Sequence, residues 1–145
     1  MTTVEAAGGG PAFRVLIVDN RSDRRELMRH VVAGTGLAAP DVAEAATAEE
    51  ATALLEVDGC DVVVVEIQLP VALGLETIAT LRRHAPASRI VVCSFHQDEA
   101  TKVRAQAEGA DAYLDKPINS RSLHDVLCGL TAEPPLERPC HTKEG

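Results

Sequence analysis

The sequence predicts an α/β fold in which helices cover both faces of one parallel sheet. Three observations carry that prediction. The stretch Asp61–Pro70 reads DVVVVEIQLP. Its four consecutive valines are too few for a helix and show no polar alternation, the pattern of a strand buried on both faces. Strand-like and helix-like segments then alternate five times along the chain, which implies right-handed crossovers onto a common sheet. Finally, the apolar runs end in reactive side chains, at Asp19, Glu66 and Ser94 and at the turn Asp115-Lys116-Pro117. Open α/β sheets place their sites at such carboxyl ends.

Each element follows from local chemistry. Phe13–Asp19 (FRVLIVD) reads as a strand closed by a carboxylate. Ser22 or Asp23 is suited to cap a helix running to about Ala33, with Leu27 and Val31 on its apolar face and Gly34 and Gly36 ending it. Pro40–Ala45 reads as an edge strand. Thr47-Ala-Glu-Glu50 fits a capping box for a helix whose stripe is Ala51, Leu54 and Leu55. Gly59 closes it before the valine strand. Pro70 turns the chain, and a loop to Gly74 precedes a short helix carrying Leu75, Ile78 and Leu81, which Pro86 ends. Arg89–Ser94 (RIVVCS) is the fourth strand. Asp98 is placed to cap a helix with Ala100, Val103 and Ala107 inward, stopped by Gly109. Asp111–Leu114 is a short fifth strand. The last helix starts near Asn119 and sets Leu123, Val126, Leu127 and Leu130 on one face. Five such units suit the flavodoxin-like strand order 2-1-3-4-5, which brings the first, third and fourth strands together at the switch point.

The predicted organisation is a disordered segment over 1–11, one domain over 12–131, and a disordered tail or linker over 132–145. Hydrophobic residues make up 46% of the 145, yet only Phe13, Phe95 and Tyr113 are aromatic, so the core must be aliphatic. A net charge of −8 opposes generic binding to nucleic acid or anionic membrane. No pattern of a DNA-binding helix follows Thr131. No apolar run approaches the ~20 residues of a membrane span, and the first residues lack the make-up of a signal peptide, so the expected location is the cytoplasm. Cys60, Cys93, Cys128 and Cys140 form no CxxC pair, which indicates neither zinc nor redox chemistry. Cys93 and Cys128 read as small buried hydrophobes.

The strand ends gather Asp19 and Asn20, Glu66, Ser94 and Lys116 at one edge of the sheet. Two acids, an amide, a hydroxyl and an ammonium suit a divalent cation with a phosphoryl group. No glycine-rich loop follows the first strand, so a nucleotide or dinucleotide fold is not supported. With VLIVDN and the following Arg24/Arg25 region, Glu66-x-x-x-Pro70-x-x-x-Gly74, Ser94 after a hydrophobic strand, GADAY, and Lys116-Pro117, the chain from about Phe13 to Thr131 resembles the receiver domain of bacterial response regulators (CheY-like).

The resemblance implies roles. The phosphoacceptor position, an aspartate in the family, falls on Glu66. Asp19 and Asn20 with the backbone carbonyl of Gln68 fall where Mg²⁺ is held. Ser94 and Lys116 would contact the phosphoryl group, Tyr113 would be an aromatic switch, and Lys116-Pro117 a cis peptide. Three departures alter this picture. Glu66 is longer than aspartate by one methylene, about 1.5 Å, and a misplacement of ~1 Å costs ~10²-fold in transfer. Asn20 replaces an acid, which lowers the expected Mg²⁺ affinity. Phe95 follows Ser94 where the family has a small residue.

The expected function is therefore a stand-alone signalling receiver, not an enzyme, working by protein–protein contact. Glu66 would make it either a phosphomimetic or a non-phosphorylatable pseudo-receiver. An engineered Asp-to-Glu change in an ordinary receiver, or truncation from a longer response regulator, gives the same sequence. The remote alternative is a metal-dependent phosphohydrolase using Asp19, Glu66 and Lys116. Expected partners are a histidine kinase or a downstream signalling protein, with a homodimer possible through the 98–130 face around Tyr113, where Thr101, Lys102, Arg121, His124 and Asp125 lie. Arg24 and Arg25 read as a solvated helix face, and His96 as an exposed loop residue near the pocket.

Overall fold

A computed structural model describes residues 14–36, 41–67, 71–94, 98–116 and 118–131. The strands are β1 (Arg14–Val18), β2 (Asp41–Ala45), β3 (Val62–Glu66), β4 (Arg89–Ser94) and β5 (Ala112–Asp115). Between and after them run α1 (Ser22–Ala33), α2 (Ala48–Val57), α3 (Val71–His84), α4 (Glu99–Glu108) and α5 (Ser120–Thr131). All strand pairs are parallel, in the order β2-β1-β3-β4-β5. This is the flavodoxin-like arrangement that the alternation predicts.

The two-residue period of the strands divides the core. Leu16, Val18, Val63, Val65, Ile90 and Val92 face α2, α3 and α4, joining Leu55, Ile78, Leu81 and Ala105. Val15, Ile17, Val62, Val64, Val91 and Cys93 face the other way, against Val32 of α1 and Leu123 and Leu127 of α5. Register pairs Val64 with Ile17 and Val91, and Glu66 with Cys93. Glu66 thus has the parity of the α1/α5 face, and Ser94, one residue beyond Cys93, that of the other.

Three local expectations are corrected. The apolar face of α1 is Met28, Val31 and Val32; Leu27 is 64% exposed. Rotation of this helix is set by Arg25 and Arg29, which both clasp Glu44 of β2, at 2.9 and 3.1 Å. Its N-cap is Arg21, without a side-chain cap bond, and Asp19 Oδ1 accepts the Arg21 N–H at 3.0 Å. Helix α3 begins at Val71, before the predicted loop ends. Gly74 lies inside it, and a Cβ there would come 3.0 Å from Ile67 Cγ2, so the glycine permits a close approach of helix to strand. In α4 the predicted inward residues Ala100, Val103 and Ala107 are all exposed, and Thr101 and Ala105 are buried. The cap decides this: Asp98 Oδ2 accepts both the N–H and the hydroxyl of Thr101, at 3.1 and 2.7 Å, which draws Thr101 inward.

The capping box stands, with a shifted partner. Thr47 accepts the Glu50 N–H at 3.1 Å, while Glu50 Oε1 accepts from Ala46 at 2.8 Å. Among the described residues no helix is long and apolar enough to cross a membrane.

Candidate functional site

The carboxyl ends of β1, β3 and β4 and the turn after β5 converge, as the strand order requires. Glu66 closes β3 with its side chain only 6% exposed, and Lys116, 13% exposed, forms an ion pair with its Oε1. Lys116 is held by its own backbone, whose N–H donates to the Ser94 carbonyl at 2.8 Å. On the other carboxylate oxygen, Arg24 Nη1 approaches Oε2 at 3.9 Å. Asp19 is buried, and its carbonyl accepts from Arg25 Nη1 at 2.7 Å. Asp19, Asn20 and Glu66 line a cavity of about 200 Å³ that reaches Thr47, Gly74 and Thr77.

Burial pushes the Glu66 carboxyl above its ordinary range. Lys116 pulls it back, the Asp19 charge adds to the rise, and Arg24 opposes it. A side-chain hydrogen bond joins Tyr113 to fully buried Ser94, and the phenol is raised mainly by desolvation. Tyr113 packs partly buried against the α2–α4 core. The Lys102 ammonium lies 5.7 Å from its ring centroid and 3.4 Å from Asp115, a cation–π arrangement that fixes the ring from outside.

The family model for the response regulator receiver domain matches residues 15–128. The chain belongs to this family. It is 33% identical to the alginate biosynthesis transcriptional regulatory protein AlgB of Pseudomonas aeruginosa over 84% of this chain and 25% of that protein. It is 27% identical to the chemotaxis protein CheY of Halobacterium salinarum, over 80% of this chain and 94% of CheY. Among solved structures, a Burkholderia pseudomallei response regulator with a phosphorylated aspartic acid, a calcium ion and citrate superposes with a TM-score of 0.66 at 27% identity, over 87% of this chain and 77% of that one. The chain spans a quarter to about half the length of the longer curated relatives that it matches. Receiver domains are signalling modules that interact with histidine kinases and downstream effectors.

Receiver domains commonly bind Mg²⁺ at the phosphorylation site, and this donor set fits the ion poorly. One of the two carboxylates already faces two cations, and Asn20 contributes only a neutral oxygen at an exposed position. Among the described residues no group of three or more His, Cys, Asp or Glu is placed to hold a metal. The Gln68 carbonyl expected to complete the set lies outside the described residues, as do Phe95, His96 and the Lys116–Pro117 bond.

The receiver brings together Asp19, Asn20, Glu66 and Lys116 at one edge, and couples Ser94 to Tyr113 beside them. Sequence reasoning missed Arg24 and Arg25, read as a solvated face. Both reach into the site, Arg24 to the Glu66 carboxylate and Arg25 to Asp19 and Glu44. The available signal was their position: two cations in the first turns of the helix that follows an acidic strand end.

Proposed function

We propose that this receiver is a signalling module in which Glu66 occupies the place of the phosphoacceptor, takes up phosphate poorly, and partly reproduces the phosphorylated arrangement. The Glu66–Lys116 ion pair supports this reading most directly. The longer side chain carries its charge toward where a phosphoryl oxygen would sit, and Lys116 answers it. A carboxylate supplies one negative charge against ~1.5–2 for a phosphoryl group, so the bias is partial. A charge shifts a two-state equilibrium only by its differential interaction with the two states, and the Ser94–Tyr113 hydrogen bond is the candidate readout. Mg²⁺ binding is weak on this reading, with Asp19 and Asn20 as the nearest donors.

The module acts by protein contact, with a histidine kinase or downstream signalling protein as partner. The exposed α4 surface around Val103, 53% exposed, favours a contact face over residues 98–130, which also offers a route to a homodimer.

The test is intact-mass measurement after incubation with Mg²⁺ and a small phosphodonor. No added phosphate is expected on the protein, and a labile adduct is expected on Glu66→Asp. An adduct mapped to Glu66 itself overturns the reading. For mimicry, partner binding or dimerisation is compared among the parent, Glu66→Asp without phosphodonor, and Glu66→Gln. Equal behaviour of all three removes the case.

A further inference from the structure

A second cavity, also of about 200 Å³, lies on the opposite side of Asp19 and Glu66, between α1 and the sheet. Its walls are mostly aliphatic: Ile17, Met28, Val31, Val64 and Ile118, with the buried thiol of Cys93 at its back. Four charged side chains line it, Asp19, Arg24, Glu66 and Lys116, and three of them are occupied. Lys116 is paired with Glu66, and Asp19 is buried and accepts the Arg21 N–H. Arg24 differs. Its side chain is 36% exposed, and among the described residues its guanidinium meets only Glu66, at a loose 3.9 Å. A planar fork of N–H donors therefore stands at the edge of an apolar pocket with most of its hydrogen-bonding capacity unused.

We infer that this cavity is a binding site for a small organic acid whose apolar body fills the space under α1 and whose carboxylate is taken by Arg24. Pockets of this make-up, apolar with a few convergent polar groups, are the usual form of ligand sites. The size sets the ligand class. An aliphatic cavity of ~150 Å³ holds benzene, so about 200 Å³ accommodates a single ring with a short acid arm. The charge sets its sign: two carboxylates and two cations line the cavity, Lys116 is committed to Glu66, and Arg24, whose contact with Glu66 is long, is the cation that keeps donors for an added anion. Arg–carboxylate pairing is bidentate by preference, and it would draw Arg24 from its long contact with Glu66, linking occupancy of this pocket to the acidic edge. The inference goes beyond the proposed function, because it holds whether or not Glu66 mimics a phosphoryl group.

Sodium phenylacetate is the probe, titrated into the full chain at constant ionic strength. Binding is followed by calorimetry and by amide chemical shifts, with benzyl alcohol and benzylamine as neutral and cationic comparisons. Saturable binding is expected for phenylacetate, with shifts centred on α1, β3 and β4 and with much weaker effects of the other two probes. Arg24→Gln should weaken it by roughly tenfold or more. Val31→Phe, which fills the cavity, should abolish it, both variants being checked for an intact circular dichroism spectrum. The comparison of the three probes on the parent protein needs no variant. Non-saturating titration, equal binding of alcohol or amine, or unchanged affinity in a folded Arg24→Gln protein overturns the site.

Discussion

Glu66 is a carboxylate whose burial and whose partners pull in opposite directions, and the sign of the balance is testable. Its folded-state pKa lies above the ordinary 4.5, through desolvation first, with Asp19 adding to the rise and Lys116 and Arg24 opposing it. The folded protein therefore holds this proton more tightly than the unfolded chain. The stability so contributed is complete below the ordinary carboxyl value and is lost as pH rises through the raised one. Glu66→Gln should flatten that part of the stability–pH curve, measured as urea midpoints from about pH 4 to 8 in magnesium-free buffer; an unchanged slope would contradict the assignment. Cys93 offers a second check. It is 1% exposed, and its thiol is pushed far up by burial, with the Glu66 charge adding. A thiolate is the reactive form, so alkylation of the native protein at about pH 8 should spare Cys93 until the chain unfolds. Mass mapping of the labelled sites measures this. The thiol of Cys60, raised less far by its partial burial, should label before that of Cys93.

Arg82 shows at the level of elements what binds the β5 side of the sheet together. From the last turn of α3 its guanidinium donates to the carbonyls of Gly109, Ser88 and Ala85 and to Asp111 Oδ2, with the Gly109, Ser88 and Asp111 contacts as short as 2.7 Å. One side chain thus ties α3, the α4–β5 turn and the entry to β4. Gly109, at φ +124°, has no room for a Cβ against the Arg82 stem, at 2.8 Å. Arg82→Met keeps most of the packing and removes the donors, leaving several carbonyls short of partners. A loss of about 2–4 kcal/mol is expected, read from urea denaturation, and a change under about 1 kcal/mol would show that these bonds are replaced by water. Arg82 also marks the limit of what the sequence discloses. Strands and strand ends were legible because their signals are local: the valine run, the two-residue period, and Asp19, Glu66, Ser94 and Lys116 each closing an apolar stretch. Arg82 and Arg24 were not, because a long side chain acts across elements far apart in sequence, 27 residues for Arg82 to Gly109. The inner face of α4 failed for a related reason. Alanine and threonine carry little hydrophobic signal, so the Asp98–Thr101 cap, and not the apolar period, fixed its rotation.

For the molecule as a whole, the decisive feature is that one sheet serves two cores. Every central strand contributes alternate residues to the α2–α4 side and to the α1/α5 side. Neither core can melt without stripping one face of the strands that the other needs. Unfolding should then be a single cooperative event, and the chain contains its own reporter. Tyr113 is the only tyrosine and there is no tryptophan, so tyrosine fluorescence reports on the α2–α4 side, where its ring packs. Leu123 is fully buried in the opposite core. Leu123→Ala should cost about 2–5 kcal/mol, and it should move the Tyr113 fluorescence transition as far as the backbone transition followed by circular dichroism. Leu81→Ala, in the core beside Tyr113, should do the same. If Leu123→Ala shifted the backbone signal and left the Tyr113 transition in place, the two cores would be separable. The proposed signalling from Glu66 to the Tyr113 face would then lack its structural basis, because that proposal links the two residues through the sheet that the cores share.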